Sequence, residues 1–172
     1  MENIQLKDGK EVILRFLVLD DRKRLVEMFS SMSDESLKWS MAPYTIEVIN
    51  RWLSNITHLI PLVAGYDTKI VGYAAIFKYP HARRKGIGSL LIYIHHEFHN
   101  VGLGTVMMEK LLQIAKKENM HKIELAVVAA NKQAIRLYKK VGFVVEGVSQ
   151  DSFLGHDGKY HNMIHMGIII NC

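Results

Sequence analysis

A turn with two glycines, followed by a helix, is the part of this sequence best suited to bind an anion. The turn is His99-Asn-Val-Gly102-Leu-Gly104, and beyond Thr105 apolar residues recur at helical spacing, at Met108, Leu111, Leu112 and Ala115. Glycine lets a backbone approach a ligand closely, and the first turn of a helix leaves N–H groups unpaired and partly positive. The segment therefore predicts a seat for a phosphate group.

A second glycine pair, in Arg83-Arg-Lys-Gly86-Ile-Gly88, competes for the same interpretation. The chain continues from Gly88 into the short, β-rich stretch Ser-Leu-Leu-Ile-Tyr-Ile and not into a long amphipathic helix. Without a helix N-terminus behind the glycines, the main source of unpaired N–H groups is missing. We therefore predict a basic hairpin turn here, with a solvated tip as its default role.

Two adjacent histidines and a glutamate, His95, His96 and Glu97, precede the glycine turn. Histidine titrates near neutral pH and can act as a general base. On a strand the two histidines would point to opposite faces, and for either one a structural role is at least as well favoured as a catalytic one. The chain has 9 histidines, but no set of His, Cys, Asp and Glu has metal-ligand spacing, so no metal site is expected.

The elements that position these residues can be predicted from hydrophobic periodicity and turn residues. Helices are predicted near 25–32, 46–56, 105–118 and 131–141, and strands at 11–19, 62–66, 70–77, 87–98, 123–127, 143–148 and 160–170. This order predicts an α/β (α+β) fold with a mixed, mostly antiparallel central sheet of six to seven strands, flanked by about four helices. One domain, 1–172, accounts for the whole chain.

Composition narrows the class of protein. Hydrophobic residues make up 49% and charged residues 23%, which is typical of a soluble globular domain, and neither a membrane span nor a secretory leader is visible. The one cysteine, Cys172, has no intrachain partner, so a reducing, cytoplasmic setting is expected. The net charge of +5 is spread along the chain without interleaved aromatics, which favours an anionic small ligand or solvated lysines over nucleic acid.

The most specific motif is Asn131-Lys-Gln-Ala134-Ile-Arg-Leu-Tyr138-Lys-Lys-Val-Gly142-Phe143. With the glycine turn before it, this segment resembles the GNAT superfamily of acetyl-CoA-dependent N-acetyltransferases. In that family a Gln/Arg-x-x-Gly-x-Gly/Ala turn is followed by a helix, a strand and an Asn-x-x-Ala-x-x-x-Tyr-x-x-x-Gly-Phe segment. The element order is similar over nearly the whole chain. The resemblance implies acetyl transfer from acetyl-CoA to an amine.

The resemblance also implies roles for individual residues. Backbone N–H groups from 101 to 105 would hold the pyrophosphate of coenzyme A, and the strand at 87–98 would part from its neighbour near Ile94 to His96 and pair with the pantetheine arm. Tyr138 would protonate or hydrogen-bond the leaving sulfur. The implied cofactor-binding residues are Ile94, His96, His99, Asn100, Val101, Gly102, Leu103, Gly104, Thr105, Asn131 and Ala134.

The chain departs from the family pattern in three places. His99 stands where Gln or Arg is usual, and His96 stands where Pro is frequent. The strand often carries a glutamate that takes the amine's proton, and none lies between Ile87 and His96. His95, nearest the expected reaction point, and Glu97, acting through a water, are the candidates for that role. The catalytic candidates are therefore Tyr138, His95 and Glu97.

Cues to the amine acceptor disagree. The stretch 29–39 resembles part of the bacterial and archaeal protein-lysine acetyltransferases, whereas 158–166 resembles the ending of polyamine and small-amine acetyltransferases. A basic chain with no acidic cluster beyond Asp34-Glu35 is a poor host for polyamines. We therefore expect a protein lysine or protein N-terminus, with a small primary amine as the alternative.

Two hypotheses of other classes stay open. The missing strand glutamate favours a non-catalytic module that binds acetyl-CoA. An unrelated phosphate-binding protein built on the same turn is disfavoured, because the Lys-Ser/Thr of a P-loop is missing. The oligomeric state is also open, and a homodimer is compatible with the sequence.

Overall fold

The computed structural model describes residues 1–170 and forms one eight-stranded sheet; Cys172 lies outside the described residues. The strands are β1 (Glu2–Gln5), β2 (Glu11–Phe16), β3 (Leu59–Tyr66), β4 (Lys69–Lys78), β5 (Ile87–Ile94), β6 (Lys122–Val128), β7 (Val144–Leu154) and β8 (Tyr160–Ile169). The α-helices are α1 (Arg22–Ser31), α2 (Asp34–Leu37), α3 (Ile46–Ser54), α4 (Leu103–Lys117) and α5 (Lys132–Lys140).

The strand order is β1-β2-β3-β4-β5-β6-β8-β7. Strands β5 and β6 run parallel, and the other neighbouring strands of residues 1–170 pair antiparallel. The predicted mixed, mostly antiparallel sheet is thus confirmed, but the predicted count of six to seven strands is too low. β1 escaped prediction because its four residues are mostly polar and only Ile4 packs on the core. The short helix α2 lies in a stretch predicted to be a loop.

The sheet has an apolar core on each of its two faces, because its central strands bury side chains on both sides. Alternation along β4 sends Tyr73 and Ala75 towards α1 and α3, and Ala74 and Ile76 towards α4. On the first face, α1 buries Leu25, Met28 and Phe29. On the second, α4 buries Met107, Met108, Leu111 and Ala115. The two cores hold the central strands rigid on either side of the site described below.

The predicted strand 87–98 ends at Ile94, which is a correction. The His95 N–H makes the last bond to β4, at 2.9 Å from the Val71 carbonyl oxygen, and a 3₁₀ turn then occupies His96–Phe98. The turn buries Phe98 against the Tyr66 ring, with ring centroids 5.2 Å apart. Phe98 continues the apolar pattern of the strand in the sequence, but it is buried because the chain turns back at that point. As a result His95 and His96 do not face opposite sides; their rings stack at 4.2 Å.

The Arg83–Lys85 segment forms the predicted basic turn between β4 and β5. Gly86 comes directly after it at φ +80°, a left-handed conformation that favours glycine. The Arg84 guanidinium carbon lies 3.6 Å from the centre of the Tyr79 ring, and the guanidinium pairs with Glu124. The Tyr79 hydroxyl also donates to Glu124 at 2.8 Å. Arg84 and Glu124 thus fix the hairpin to β6.

No helix of residues 1–170 is long and apolar enough to cross a membrane. The same residues contain no group of three or more His, Cys, Asp and Glu side chains placed to hold a metal ion.

Candidate active site

The site begins where β5 and β6 part. The two strands pair only from Ile87 to Ser89, opposite Lys122 to Glu124. Beyond that point β5 stays paired with β4 as far as Ile94, and β6 stays paired with β8 as far as Val128. A wedge therefore opens inside the sheet from Leu90 onward. The separation was predicted near Ile94 to His96, so it starts earlier than expected, and His96 already lies in the following turn.

Backbone groups on the inner edge of β5 face this wedge, and among them the Ile94 carbonyl already accepts a hydrogen bond from His99 Nε2 at 2.9 Å. His95 and Val71 form a hydrogen-bonded pair, and such pairs recur at every second residue of an antiparallel ladder. The N–H and C=O groups of Leu90, Ile92 and Ile94 therefore point away from β4. An extended ligand lying in the wedge could pair with them as an added strand would.

A cleft of about 840 Å³ fills the wedge and reaches both faces of the sheet. Most of the predicted cofactor residues line it: Ile94, His96, His99, Asn100, Gly102, Gly104, Thr105, Asn131 and Ala134. Tyr138 lines it as well. The structure thus brings together residues from β5, the glycine turn and α5 that are far apart in sequence.

Four predicted site residues do not line the cleft: Val101, Leu103, His95 and Glu97. The Val101 carbonyl accepts a hydrogen bond from the Lys7 N–H at 3.1 Å, which ties the turn to the β1–β2 loop. The Leu103 side chain is fully buried in the core beneath α4. These two residues support the turn from behind.

The glycine turn has the geometry of an anion seat. Gly102 has φ +95° and is the N-cap of α4, and the Val106 N–H makes the helix's first bond, 3.2 Å from the Gly102 carbonyl oxygen. The N–H groups of residues 103–105 therefore have no partner within the helix. A Cβ at Gly104 would lie 3.0 Å from the Leu137 side chain, so a glycine lets α4 and α5 approach closely here.

Four cations that sequence reasoning missed also line the cleft: Lys7, Lys132, Arg136 and Lys140. The last three follow each other at four-residue intervals along α5, which puts them on one helix face. That spacing was the available signal. Lys140 Nζ lies 3.5 Å from Thr105 Oγ1, at the first turn of α4. Two positive side chains, Lys7 and Lys140, thus lie beside the turn.

Tyr138 is the cleft residue best placed to donate a proton. Its side chain is only 8% exposed, and burial raises the pKa of the phenol to about 12. Within residues 1–170 its hydroxyl makes no hydrogen bond, so the proton is free for a ligand. Asn131 caps α5, with its Oδ1 accepting the Ala134 N–H at 3.2 Å. Asn131 also lines the cleft, and its amide NH₂ is not used by this cap.

His95 is fully engaged by neighbours outside the cleft. Its Nε2 lies 3.2 Å from Ser31 Oγ, and its Nδ1 lies 3.4 Å from the Glu97 N–H. Ser31 donates its own proton to carbonyls of α1, so the His95 Nε2–H must be the donor between them. Nδ1 is then the acceptor for Glu97, and the neutral ring has no lone pair to offer. Burial and the neighbouring His96 lower the pKa of His95, which keeps the ring neutral.

On the α1–α3 face the cleft is closed by a wall that we call the α2 wall: Met32, Ser33, Glu35, Ser36, Trp39, Ser40, Met41, Phe153 and Met163. The Trp39 ring joins α2 to the far strands, at 4.9 Å from the His161 ring and 6.4 Å from the Phe153 ring. Ser33 fixes the wall to the end of β5, since its N–H donates to His96 Nδ1 at 3.3 Å. The wall has one carboxylate, on Glu35, and no lysine or arginine.

Comparison with known proteins gives one consistent result. The model of the acetyltransferase (GNAT) family matches residues 25–143. Among curated proteins, the chain is 29% identical over 106 residues to an L-amino acid N-acetyltransferase of Escherichia coli, covering 61% of this chain and 65% of that protein. It is 38% identical over 52 residues to an uncharacterized N-acetyltransferase of Methanocaldococcus jannaschii, covering 30% and 23%. The matched region thus spans less than two thirds of either relative.

Two solved structures share the whole fold. A GNAT-family acetyltransferase from Streptococcus pneumoniae superposes with a TM-score of 0.82 at 26% identity, covering 92% of this chain and 99% of that one. An acetyltransferase from Salmonella typhimurium, solved with acetyl-CoA, superposes with a TM-score of 0.79 at 17% identity, covering 93% and 94%. At that lower identity the likeness concerns the fold alone.

Proposed function

The chain belongs to the acetyltransferase (GNAT) family, and on that basis we propose that it transfers an acetyl group from acetyl-CoA to a primary amine by direct attack. The observation that carries the proposal is the wedge between β5 and β6, where the part of β5 that has left β6 and the Tyr138 side chain line one cleft. A wedge without a proton donor would suit a binding module equally well. The Tyr138 hydroxyl, which can donate a proton, favours catalysis over binding alone.

The residues present fit coenzyme A. The N–H groups of residues 103–105 would receive the pyrophosphate, and the cations of α5 would neutralise its charge. The inner edge of β5 would pair with the amide groups of the pantetheine arm. Glycine at position 104 lets Leu137 of α5 pack against the first turn of α4. Both parts of the cofactor thus have matching groups within a single cleft.

Acetyl-CoA supplies a thioester carbon open to attack and a thiolate leaving group. The amine loses one proton as the C–N bond forms, and the sulfur gains one as the C–S bond breaks. Tyr138 holds its proton at neutral pH because of its raised pKa, and it would donate that proton to the sulfur. The N–H of Ile92 or Ile94 would hydrogen-bond the thioester oxygen as negative charge develops there.

The amine's proton has no side-chain base to go to among the predicted candidates. His95 is occupied by Ser31 and Glu97, and Glu97 lies outside the cleft. We therefore propose that His95 and Glu97 position the end of β5, and that water in the open cleft carries the proton away. A test of this assignment is the effect of His95→Gln, which keeps a hydrogen bond to Ser31 and should retain most of the turnover.

For the acceptor we propose an amine of a protein, on a lysine or an N-terminus. The α2 wall is largely uncharged, offering serine hydroxyls and apolar rings suited to a peptide. The wall has no Lys or Arg that could bind the carboxylate of a free amino acid. Its one exposed glutamate carries too little negative charge to bind a polyamine. A small-molecule amine is the second candidate, favoured by the 29% identity to an L-amino acid N-acetyltransferase.

We also propose a single domain, a cytoplasmic location and a homodimer. One continuous sheet from β1 to β8 supports a single domain. Use of acetyl-CoA supports the cytoplasm. A homodimer is supported by the edge strand β7, where Val144, Val145 and Val148 are exposed side chains on a strand with one free edge.

The test of the proposed function is release of free thiol from acetyl-CoA in the presence of peptides with a free α-amine, peptides with a lysine, single amino acids and polyamines. Amine-dependent thiol release is the expected result. If acetyl-CoA binds and no amine is acetylated, the chain is a binding module. If acetyl-CoA does not bind at all, the cofactor assignment falls.

A further inference from the structure

Two tyrosines beside the α2 wall, Tyr44 and Tyr93, form a hydrogen-bonded pair that has no role in the catalytic steps proposed above. The hydroxyl oxygens of Tyr44 and Tyr93 are 2.7 Å apart, and the Met41 N–H donates to the Tyr44 oxygen at 3.1 Å. Tyr93 lines the cleft and Tyr44 does not. The pair thus links the segment after α2 to the strand that borders the wedge.

The direction of the bond between the two hydroxyls can be derived from hydrogen-bond satisfaction. The Tyr44 oxygen already accepts from Met41, so a Tyr44 that donates to Tyr93 uses both its proton and a lone pair. The geometry of the pair agrees, with the Tyr44 hydroxyl as donor and the Tyr93 oxygen as acceptor. The chain of donors therefore runs from the Met41 N–H through Tyr44 to Tyr93. The Tyr93 proton is then not used by Tyr44 and can be donated to a ligand in the cleft that Tyr93 lines.

The position of Tyr93 is fixed by packing on several sides. Its ring meets Phe29 edge-on at 5.2 Å, meets Tyr44 at 4.9 Å and stacks on Trp52 at 6.3 Å. Strand alternation places it on the α1–α3 face of β5, opposite to the inward side chains of Ile92 and Ile94. Its hydroxyl thus stands on the α2 wall's side of the wedge, where an amine would enter.

Tyr93 keeps its proton throughout the neutral range. Burial raises the pKa of its phenol, and the neighbouring Tyr44 and Tyr138 raise it further. A donor that is itself the end of a donor chain is polarised towards giving a hydrogen bond. Its proton can pair with an acceptor group on a ligand, whereas an ammonium group, which carries only donors, cannot use that proton.

We propose that Tyr93 is a specificity-determining residue, whose hydroxyl binds the carbonyl oxygen next to the acceptor amine, so that the site selects the α-amine of a peptide N-terminus over the ε-amine of lysine. This inference rests on the proposed acetyl transfer and narrows its acceptor. An α-amine has a carbonyl two bonds beyond its nitrogen, whereas a lysine ε-amine is flanked by methylenes alone. The α2 wall itself has no Lys or Arg, and the nearby Lys38, 5.4 Å from the centre of the Trp39 ring, is paired with Glu35; this favours a neutral amide carbonyl over a carboxylate.

The experiment compares two peptides of one sequence on the full chain. One peptide has a free α-amine and no lysine; the other has a blocked α-amine and one lysine. kcat/KM for each is measured with wild type, Tyr93→Phe, Tyr44→Phe and Tyr73→Phe. Tyr73 is the matched control, because it belongs to the same ring cluster, stacks on Trp52 at 5.3 Å and does not line the cleft.

Wild type should prefer the α-amine peptide. Tyr93→Phe should lower kcat/KM for that peptide about tenfold, the size of one lost hydrogen bond, and change the lysine peptide by less than about twofold. Tyr44→Phe should give a smaller loss of the same selectivity, and Tyr73→Phe should leave the ratio of the two peptides unchanged. Since each variant is compared with wild type on the same amine, differences in amine basicity cancel.

Four results would overturn the inference. Equal losses for both peptides with Tyr93→Phe would make its role structural, and no loss for either would make it irrelevant. A wild type that acetylates the lysine peptide and not the α-amine peptide would refute the selectivity while leaving the acetyltransferase function intact. Absence of turnover with every amine would instead refute the proposed function, and the inference with it.

Discussion

The ring of His99 and the carbonyl of Ile94 are joined by a hydrogen bond of 2.9 Å between Nε2 and the oxygen. It links the glycine turn to the inner edge of β5 at the point where that strand ends. Because the oxygen can only accept, the ring must carry its proton on Nε2. His99 therefore holds the seat for the phosphates in register with the strand beside which the thioester would lie.

This bond leads to a prediction about cofactor affinity. His99→Ala should weaken acetyl-CoA binding by roughly fivefold to tenfold, because the lost bond frees the turn from the strand. His99→Gln can still donate to the carbonyl and should retain most of the affinity. Titration calorimetry with coenzyme A measures both. Equal affinities for the two variants would mean that the hydrogen bond is dispensable.

Tyr138→Phe should lower kcat by about tenfold to a hundredfold and leave the KM for acetyl-CoA nearly unchanged, because the hydroxyl acts when the C–S bond breaks. Steady-state kinetics at saturating amine provide the measurement. With the pKa of Tyr138 at about 12, the protonated form persists through the accessible alkaline range, so kcat of the wild type should not decline from this group between about pH 7 and 10. A parallel rise in KM and fall in kcat would contradict a role confined to the chemical step.

The stripe of cations on α5 should govern the salt dependence of cofactor binding. Replacing both Arg136 and Lys140 by Gln should weaken coenzyme A binding by roughly tenfold at low salt, and by less at high salt, where screening already weakens the attraction. Replacing Lys116 and Lys117, in the last turn of α4 and outside the cleft, by Gln is the matched control. If both double variants bind alike, the charge of the α5 stripe is not part of the site.

A buried ion pair below α1 predicts a pH dependence of stability. Asp21 is fully buried and receives both guanidinium nitrogens of Arg15, at 2.5 and 2.6 Å, and the Val18 N–H at 3.0 Å. Burial alone would raise the pKa of Asp21, but these bonds outweigh it and lower the pKa below the usual value. The stabilisation is therefore present above the unfolded-state pKa of about 4 and is lost as pH falls through the lower folded-state pKa.

Asp21→Asn should accordingly reduce the free energy of unfolding by about 2–4 kcal/mol at pH 7, and it should flatten the acid limb of the stability curve. Asp20→Asn, at the exposed neighbouring position, is the control and should change little. Urea unfolding at pH 7 and at pH 3 gives both values. An unchanged acid limb in Asp21→Asn would show that other carboxylates dominate it.

Much of the site could be predicted from local patterns. The stripe of α4, the turn at Gly102 and Gly104, and the cap at Asn131 each depend on residues within a few positions of one another. Helical periodicity and capping are local effects, so these elements can be derived from short stretches of sequence. The place of Tyr138 on α5 can be derived from the same periodicity, and its part in the chemistry came from the resemblance.

The failures have a common physical origin. His95 is a candidate base from its position in the sequence, but Ser31, 64 residues earlier in the chain, occupies its Nε2. Strand 87–98 is predicted too long because Phe98 is apolar, yet Phe98 is buried by a turn against Tyr66. In both cases a residue distant in the sequence decides the local conformation or protonation. Hydrophobic periodicity describes neighbouring residues only, so it cannot identify that partner.

The amino-acid sequence alone determined the four longer helices, the glycine turn before α4, the family likeness and the tyrosine of α5, because each is specified by neighbours along the chain. Only the tertiary structure decided that β5 and β6 part after Ser89, and that Tyr44 and Tyr93, 49 residues apart, share a hydrogen bond beside the opening. Strand order and register are set by the packing of the whole sheet between two cores. The cleft lies where the packing of the whole sheet holds β5 and β6 apart, and no single segment of the sequence specifies that separation.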